Sequence, residues 1–243
     1  MLERLKVKIF ADGADIKSMK ALAANAHIKG FTTNPSLMRK AGVEDYQAFA
    51  REVLQAIPDR PVSFEVFADD LSEMEDQARE IATWGRNVYV KIPVTNTKRE
   101  HSAPMIKRLS KSGVAVNVTA VFTLAQVQEI TDALDASTPA VISVFAGRIA
   151  DTGVDPMPLM REAAAIMKVR PKAELLWASP RELLNIYQAD EAGCHIITVA
   201  PDVLGKLGLI GKDLDAYSLE TVKMFYGDAT AAGYRIEPRR KSA

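Results

Sequence analysis

Runs of apolar and β-branched residues recur along the chain, separated by stretches whose hydrophobic positions fall at helical spacing. The apolar runs predict strands at about 7–11, 28–32, 62–67, 88–92, 114–119, 140–145, 174–178 and 195–200. Their starts lie about 20 to 35 residues apart, the length of one βα unit. Helices are predicted between them. In 44–57, Tyr46, Phe49, Val53, Leu54 and Ile57 share one face, and in 71–84 Leu71, Met74, Ala78, Ile81 and Ala82 do the same. Further helices are read at 15–26, 102–112, 123–136, 156–168, 180–192 and 216–232. Ser179 followed by Pro180 has the form of an N-cap and first-turn proline for the 180–192 helix.

Alternating strands and helices, with strands apolar almost throughout, indicate a parallel sheet covered by helices. Eight repeats favour a single (β/α)8 barrel over an open doubly wound sheet, and no G-x-G-x-x-G follows the first strand. No Pro/Gly/Ser-rich linker divides the chain, so 1–243 reads as one barrel domain with a helical extension from about 202.

Composition narrows the function classes. Lys plus Arg is 31 and Asp plus Glu is 31, a neutral balance with no whole-chain attraction to nucleic acid or anionic membrane. The Trp and Tyr residues form no stacking array for nucleic acid. Arg239, Arg240 and Lys241 make a short basic tail, of the kind that is usually a solvated terminus. No signal peptide or membrane-spanning stretch is recognisable, and Cys194 is the only cysteine, so a cytoplasmic location is expected. His27, His101 and His195 are scattered without ligand spacing, so no metal is expected, and no cofactor is expected either.

The informative residues are the polar ones that interrupt the strands near their C-terminal ends. They are Asp12 after KIFA, Glu65 in VSFEVF, Lys91 in VYVKIP, Asn117 and Thr119 in VAVNVT, and Ser143 in AVISVF. That end of a parallel barrel carries the active site. Turned toward the helix layer, Lys91 and Glu65 would be stranded charges costing on the order of several kcal/mol each; turned to the lumen they can meet each other and water. Asp12, Asn34, Glu65, Lys91, Asn117, Thr119 and Ser143 are therefore expected in one ring. Blander readings stand beside this one. Lys91 could snorkel to the surface, Glu65 could be a structural ion-pair partner, and Asp12 could cap the 15–26 helix. Asn117 and Thr119 could simply satisfy buried backbone groups. A lysine in an apolar strand has the chemistry of an amine nucleophile, because desolvation disfavours the ammonium. The neutral amine can attack a ketone, with Glu65 and Asp12 as candidates for moving protons.

The chain resembles the transaldolases, in particular the short subfamily that also includes fructose-6-phosphate aldolase. The resemblance rests on FADGAD at 10–15, GFTTNPSL at 30–37, FEV at 64–66, VYVKIPVT at 88–95, VNVTAVFTLAQ at 116–126, SVFAGRIAD at 143–151 and WASPRE at 177–182, and spans about 7–200. It implies Lys91 as the Schiff-base lysine and Asp12 as the carboxylate that takes the hydroxyl proton during C–C cleavage. It implies Glu65 as an acid/base acting through a water that Thr119 holds. Asn34, Asn117 and Ser143 would contact a dihydroxyacetone unit, and Arg148, Ser179 and Arg181 would bind phosphate. Guanidinium groups suit that anion, and a helix starting near Pro180 would add backbone donors. The aldolase branch carries Gln and Tyr where this chain has Glu65 and Phe145, so the resemblance favours transfer over simple cleavage. It implies small-molecule sugar phosphates as partners and a homo-oligomer. A lyase on similar sugars, a transaldolase for a sulfonated or otherwise modified sugar, and a catalytically silent sugar-phosphate binder are the competing readings.

Overall fold

The computed structural model of the protein describes residues 2–237; Arg239, Arg240 and Lys241 lie outside them. Eight parallel strands close into a barrel in chain order. They are β1 Lys8–Asp12, β2 Ile28–Thr32, β3 Val62–Glu65, β4 Val88–Pro93, β5 Val116–Val121, β6 Ala140–Val144, β7 Ala173–Trp177 and β8 Ile196–Val199. The barrel shuts where β1 pairs with β8, Phe10 opposite Thr198. Every residue of β6 and β8 is buried, as two covered faces require.

The outer layer is α1 Ile16–Ala23, α2 Pro35–Lys40, α3 Tyr46–Ala56, α4 Leu71–Ala82, α5 Ala103–Lys111, α6 Leu124–Ala133, α7 Ala146–Asp151, α8 Pro156–Met167, α9 Leu184–Glu191 and α10 Pro201–Leu204. Side-chain caps fix several starts. Asp15, Asn34, Asp45, Asp70 and Asp155 each accept a backbone N–H in the first turn, and Thr123 with Gln126 forms a capping box. Asp15, rather than Asp12, caps α1. The short helices α2, α7 and α10 are additions to the predicted pattern.

The 180–192 helix is shorter than its cap signal implies. It starts at Leu184, and Ser179 is no N-cap: its φ is +59°, in the left-handed region. The cause is tertiary. Gly147 N–H donates to the Ala178 carbonyl at 3.2 Å, and a Cβ on Gly147 would lie 1.5 Å from the Ser179 oxygen. The chain after β7 therefore turns sharply over Gly147, and the amide of Asn185 accepts from the N–H groups of Arg181 and Glu182 before the helix begins.

Inside the barrel, Phe10, Val141, Leu176, Ala178 and Ile196 form an apolar plug, with Tyr89 and Phe145 packed against it. Gly30 makes room for it, since a Cβ there would meet the Phe10 ring at 2.5 Å. The lumen is thus a packed core, and the ring of Asp12, Glu65, Lys91 and Ser143 lies above it at the C-terminal mouth.

The barrel unit runs to Lys206 and a second unit begins at Leu207. The second unit carries α11, Leu214–Ala231, capped by Asp213 and with none of its residues buried. Lys212 pairs with Glu220 and sits over the Tyr217 ring at 4.5 Å. No helix among the described residues is long and apolar enough to cross a membrane.

Candidate active site

Register puts the charged strand residues on a common level. Glu65 lies opposite Lys91, and Lys91 opposite Asn117, on three adjacent strands. Neighbouring residues in parallel register point to the same face, so all three side chains face the lumen. Lys91 is only 8% exposed, with its Nζ 3.1 Å from Glu65 Oε2 and donating to the Thr33 carbonyl at 3.0 Å. The surface reading of Lys91 is thereby excluded.

On the far side of the mouth, Asp12 ends β1. Thr32 Oγ1 donates to its Oδ1 at 2.9 Å and Asn34 Nδ2 to its Oδ2 at 3.3 Å. Thr32 also shares a hydrogen bond with Thr198, so a chain of hydroxyls joins the first, second and last strands. Burial raises the Asp12 pKa above the usual aspartate value, while the Lys91 charge, Thr32 and Asn34 pull it back.

A cavity of about 320 Å³ opens over this ring. Asp12, Asn34, Glu65, Lys91, Thr119 and Ser143 line it, with Phe145, Arg148 and Ser179 at the side where β6 and β7 end. Thr119 Oγ1 is buried and has no hydrogen-bond partner among the described residues. Arg148 lies over the Phe145 ring at 5.1 Å, a stacking that holds the guanidinium at the rim.

Two of the expected residues sit elsewhere. Asn117 is buried below the cavity, with its amide spent on its neighbours: Nδ2 donates to Ser63 Oγ at 2.9 Å and Oδ1 accepts from Ser143 Oγ at 2.6 Å. It braces the ring in this structure. Arg181 is outside the cavity lining and pairs with Asp151, both side chains about half exposed. Its ion pair follows from the late start of α9, which carries Arg181 past the mouth. The backbone donors expected near Pro180 are taken by a side chain, since the N–H groups of Arg181 and Glu182 donate to Asn185 Oδ1.

The structure adds residues that sequence reasoning passed over. Thr32 and Thr198 brace Asp12, Thr33 offers the carbonyl that holds Lys91, and Ser63 anchors Asn117. Ala120 lines the cavity with φ +58°, at an irregularity where the β5–β6 register shifts. Left-handed backbone at both Ala120 and Ser179 stores strain at the mouth. Among the described residues no group of His, Cys, Asp and Glu is arranged to hold a metal ion.

Fold and site together define a parallel-barrel protein with a buried lysine and two carboxylates at its C-terminal mouth. The family profile for transaldolase/fructose-6-phosphate aldolase matches residues 9–236, further toward the C-terminus than the motifs alone reach. A protein of Dehalococcoides mccartyi named "Probable transaldolase" is 38% identical over 199 residues, covering 82% of this chain and 88% of that protein. One of Listeria monocytogenes named "Probable transaldolase 2" is 33% identical over 224 residues, covering 87% of this chain and 98% of its own. Among solved structures, 2,3-dimethylmalate lyase, a PEP mutase/isocitrate lyase superfamily member, superposes with TM-score 0.55 at 15% identity, covering 99% of this chain and 89% of that one. That is a likeness of fold. The chain belongs to the transaldolase/fructose-6-phosphate aldolase family, and membership supports transaldolase-type function.

Proposed function

We propose that the protein is a transaldolase that carries a dihydroxyacetone unit on Lys91 from a ketose phosphate to an aldose phosphate. The observation that carries this reading is the buried Lys91 amine 3.1 Å from the Glu65 carboxylate, at the floor of a cavity that Asp12 also lines.

The chemistry follows from those three groups. At rest, the contacts to Glu65 and the Thr33 carbonyl suit an ammonium. The proton passes to Glu65, and the freed amine attacks the ketone carbon. The resulting carbinolamine loses its hydroxyl as water, taking a proton from Glu65, and leaves a protonated imine. Thr119, with its hydroxyl unspent on protein groups, holds that water. Asp12 takes the proton from the neighbouring hydroxyl, the C–C bond breaks, and its electron pair flows into the imine to give an enamine. The released aldose phosphate departs. An acceptor aldehyde is then attacked by the enamine while Asp12 returns its proton, and hydrolysis of the new imine frees the product. Burial of Asp12 suits it to both halves of that exchange. In this reading Arg148 binds the phosphate, and Asn34 and Ser143 bind the hydroxyls of the three-carbon unit; that all three line the cavity supports it.

Glu65 with Phe145 supports transfer over free cleavage, because the resembling aldolases carry Gln and Tyr there. A sulfonate would satisfy the same guanidinium, so modified sugars belong in the substrate panel. A homo-oligomer is part of this reading: α11 exposes Leu219, Val222 and Phe225 at 54, 58 and 62%, apolar surface that a second copy would cover. A cytoplasmic setting is part of it too; the thiol of Cys194 is buried and its pKa pushed up to about 12, which keeps it inert.

The test is a coupled assay with fructose 6-phosphate as donor and erythrose 4-phosphate as acceptor. Product formation that depends on acceptor supports transfer. Free dihydroxyacetone released at a comparable rate without acceptor would displace it in favour of a lyase.

A further inference from the structure

Glu65 stands where its strand runs out of partners. Phe31 N–H donates to the Pro61 carbonyl and Thr33 N–H to the Ser63 carbonyl. A parallel ladder repeats every two residues. Its next rungs would join Glu65 N–H to the Thr33 carbonyl, and the N–H of residue 35 to the Glu65 carbonyl. Residue 35 is proline and has no N–H, and it opens α2. The Thr33 carbonyl is taken by the Lys91 amine.

Both orphaned groups of Glu65 find one atom on another element. Tyr46, the first residue of α3, accepts from Glu65 N–H at 2.7 Å and donates its hydroxyl proton to the Glu65 carbonyl at 3.0 Å. The phenol ring is itself fixed. It packs against Phe64 of β3 edge-on at 6.2 Å, against Phe67 just past that strand at 4.6 Å, and against Trp84 just past α4 at 5.5 Å. Burial pushes the phenol pKa up, so the hydroxyl keeps the proton that it donates.

We propose that Tyr46 is a positioning residue of the active site: its hydroxyl supplies the two strand bonds that β2 cannot give Glu65, and so leaves the Thr33 carbonyl to hold the Lys91 amine. The inference rests on the reading of Lys91 and Glu65 as the reacting pair. Without the clamp, Glu65 N–H would compete for the Thr33 carbonyl, and amine and carboxylate would both lose their seat. A shift of that kind lowers turnover more than substrate affinity, because Tyr46 does not line the substrate cavity.

The experiment is Tyr46→Phe, with Phe67→Leu as a control that disturbs the same ring cluster and leaves the clamp. Tyr46→Phe is expected to lower kcat about 10- to 100-fold with KM within about threefold. It is also expected to abolish deuterium-exchange protection of the Glu65 amide, while Phe67→Leu keeps both. Equal losses in the two variants, or a Glu65 amide that stays protected in Tyr46→Phe, would overturn the proposal. Should Tyr46→Phe not fold, the unsubstituted protein still decides: its Glu65 amide must be protected, and fast exchange there refutes the clamp. Borohydride trapping on the unsubstituted enzyme separates the two levels. If Lys91 traps substrate and the clamp tests fail, the function stands and Tyr46 falls; if Lys91 traps nothing, both fall.

Discussion

Gly147→Ala is the sharpest test of how the mouth is built. Gly147 is the second residue of α7, just after β6, and its position leaves no room for a side chain: an added methyl would sit 1.5 Å from the Ser179 oxygen and 2.5 Å from its carbonyl carbon. The opposing atoms are backbone, so no rotamer change relieves the clash. Reaching ordinary contact requires the β6–α7 and β7–α9 connections to part by about 2 Å. That movement breaks the bond from Gly147 N–H to the Ala178 carbonyl, worth about 1 kcal/mol net, and adds about 1–3 kcal/mol of overpacking. The sum, roughly 2–4 kcal/mol, lowers Tm by roughly 5–15 °C in a domain of this size. Arg148 and Ser179 ride on the two separated connections, so kcat/KM for a phosphorylated ketose is expected to fall about 100-fold. Calorimetry and steady-state kinetics on the same preparation check both figures. A folded variant with Tm within about 2 °C of the parent and unchanged kinetics would refute the close approach of these segments.

Other outcomes follow from the charges at the mouth. Burial holds the Asp12 pKa above its usual value, with Lys91, Thr32 and Asn34 opposing. The folded state therefore binds this proton more tightly than the unfolded chain. That contribution to stability is fully present below the unfolded pKa of about 3.9 and is lost as pH rises through the folded pKa. Asp12→Asn should abolish turnover, and its Tm relative to the parent should improve as pH rises from about 4 to 7; parallel Tm curves would contradict the raised pKa. Arg148→Ala should raise KM for the phosphorylated substrate about 10- to 100-fold, as loss of a charge-assisted contact does. Arg181→Ala, which removes only an exposed pair with Asp151, should leave KM unchanged and stability within about 0.5 kcal/mol. A larger effect at Arg181 than at Arg148, measured with one ketose phosphate, would reverse that assignment.

Much of this was readable in the sequence because barrel strands carry both a hydrophobic and an energetic signature. VYVKIP admits its lysine only if the side chain faces the lumen, and the same argument turns Glu65 inward. The register confirms that geometry by setting the two residues opposite each other. What escaped had no local signature. Thr32, Thr33 and Thr198 are residues that strands favour anyway, so their hydroxyls read as β propensity. Their role emerges only when β8 closes on β1 and brings Thr198 to Thr32. Tyr46 reads as a helix-face hydrophobe, and its hydroxyl gains meaning only from the unpaired end of β3. At Ser179 the sequence carries a genuine cap signal, but the approach of Gly147 overrides it and bends the backbone into the left-handed region. Arg181, which the resemblance puts at the phosphate site, pairs with Asp151 outside the cavity lining instead.

Every step of the proposed chemistry passes through a covalent bond at one buried nitrogen. Reduction with borohydride in the presence of fructose 6-phosphate, followed by peptide mapping, reads that bond directly. A reduced three-carbon or hexose adduct is expected on the peptide carrying Lys91, absent without ketose and absent in Lys91→Met. Turnover with that peptide unmodified, or an adduct that forms on another lysine and survives Lys91→Met, would contradict it.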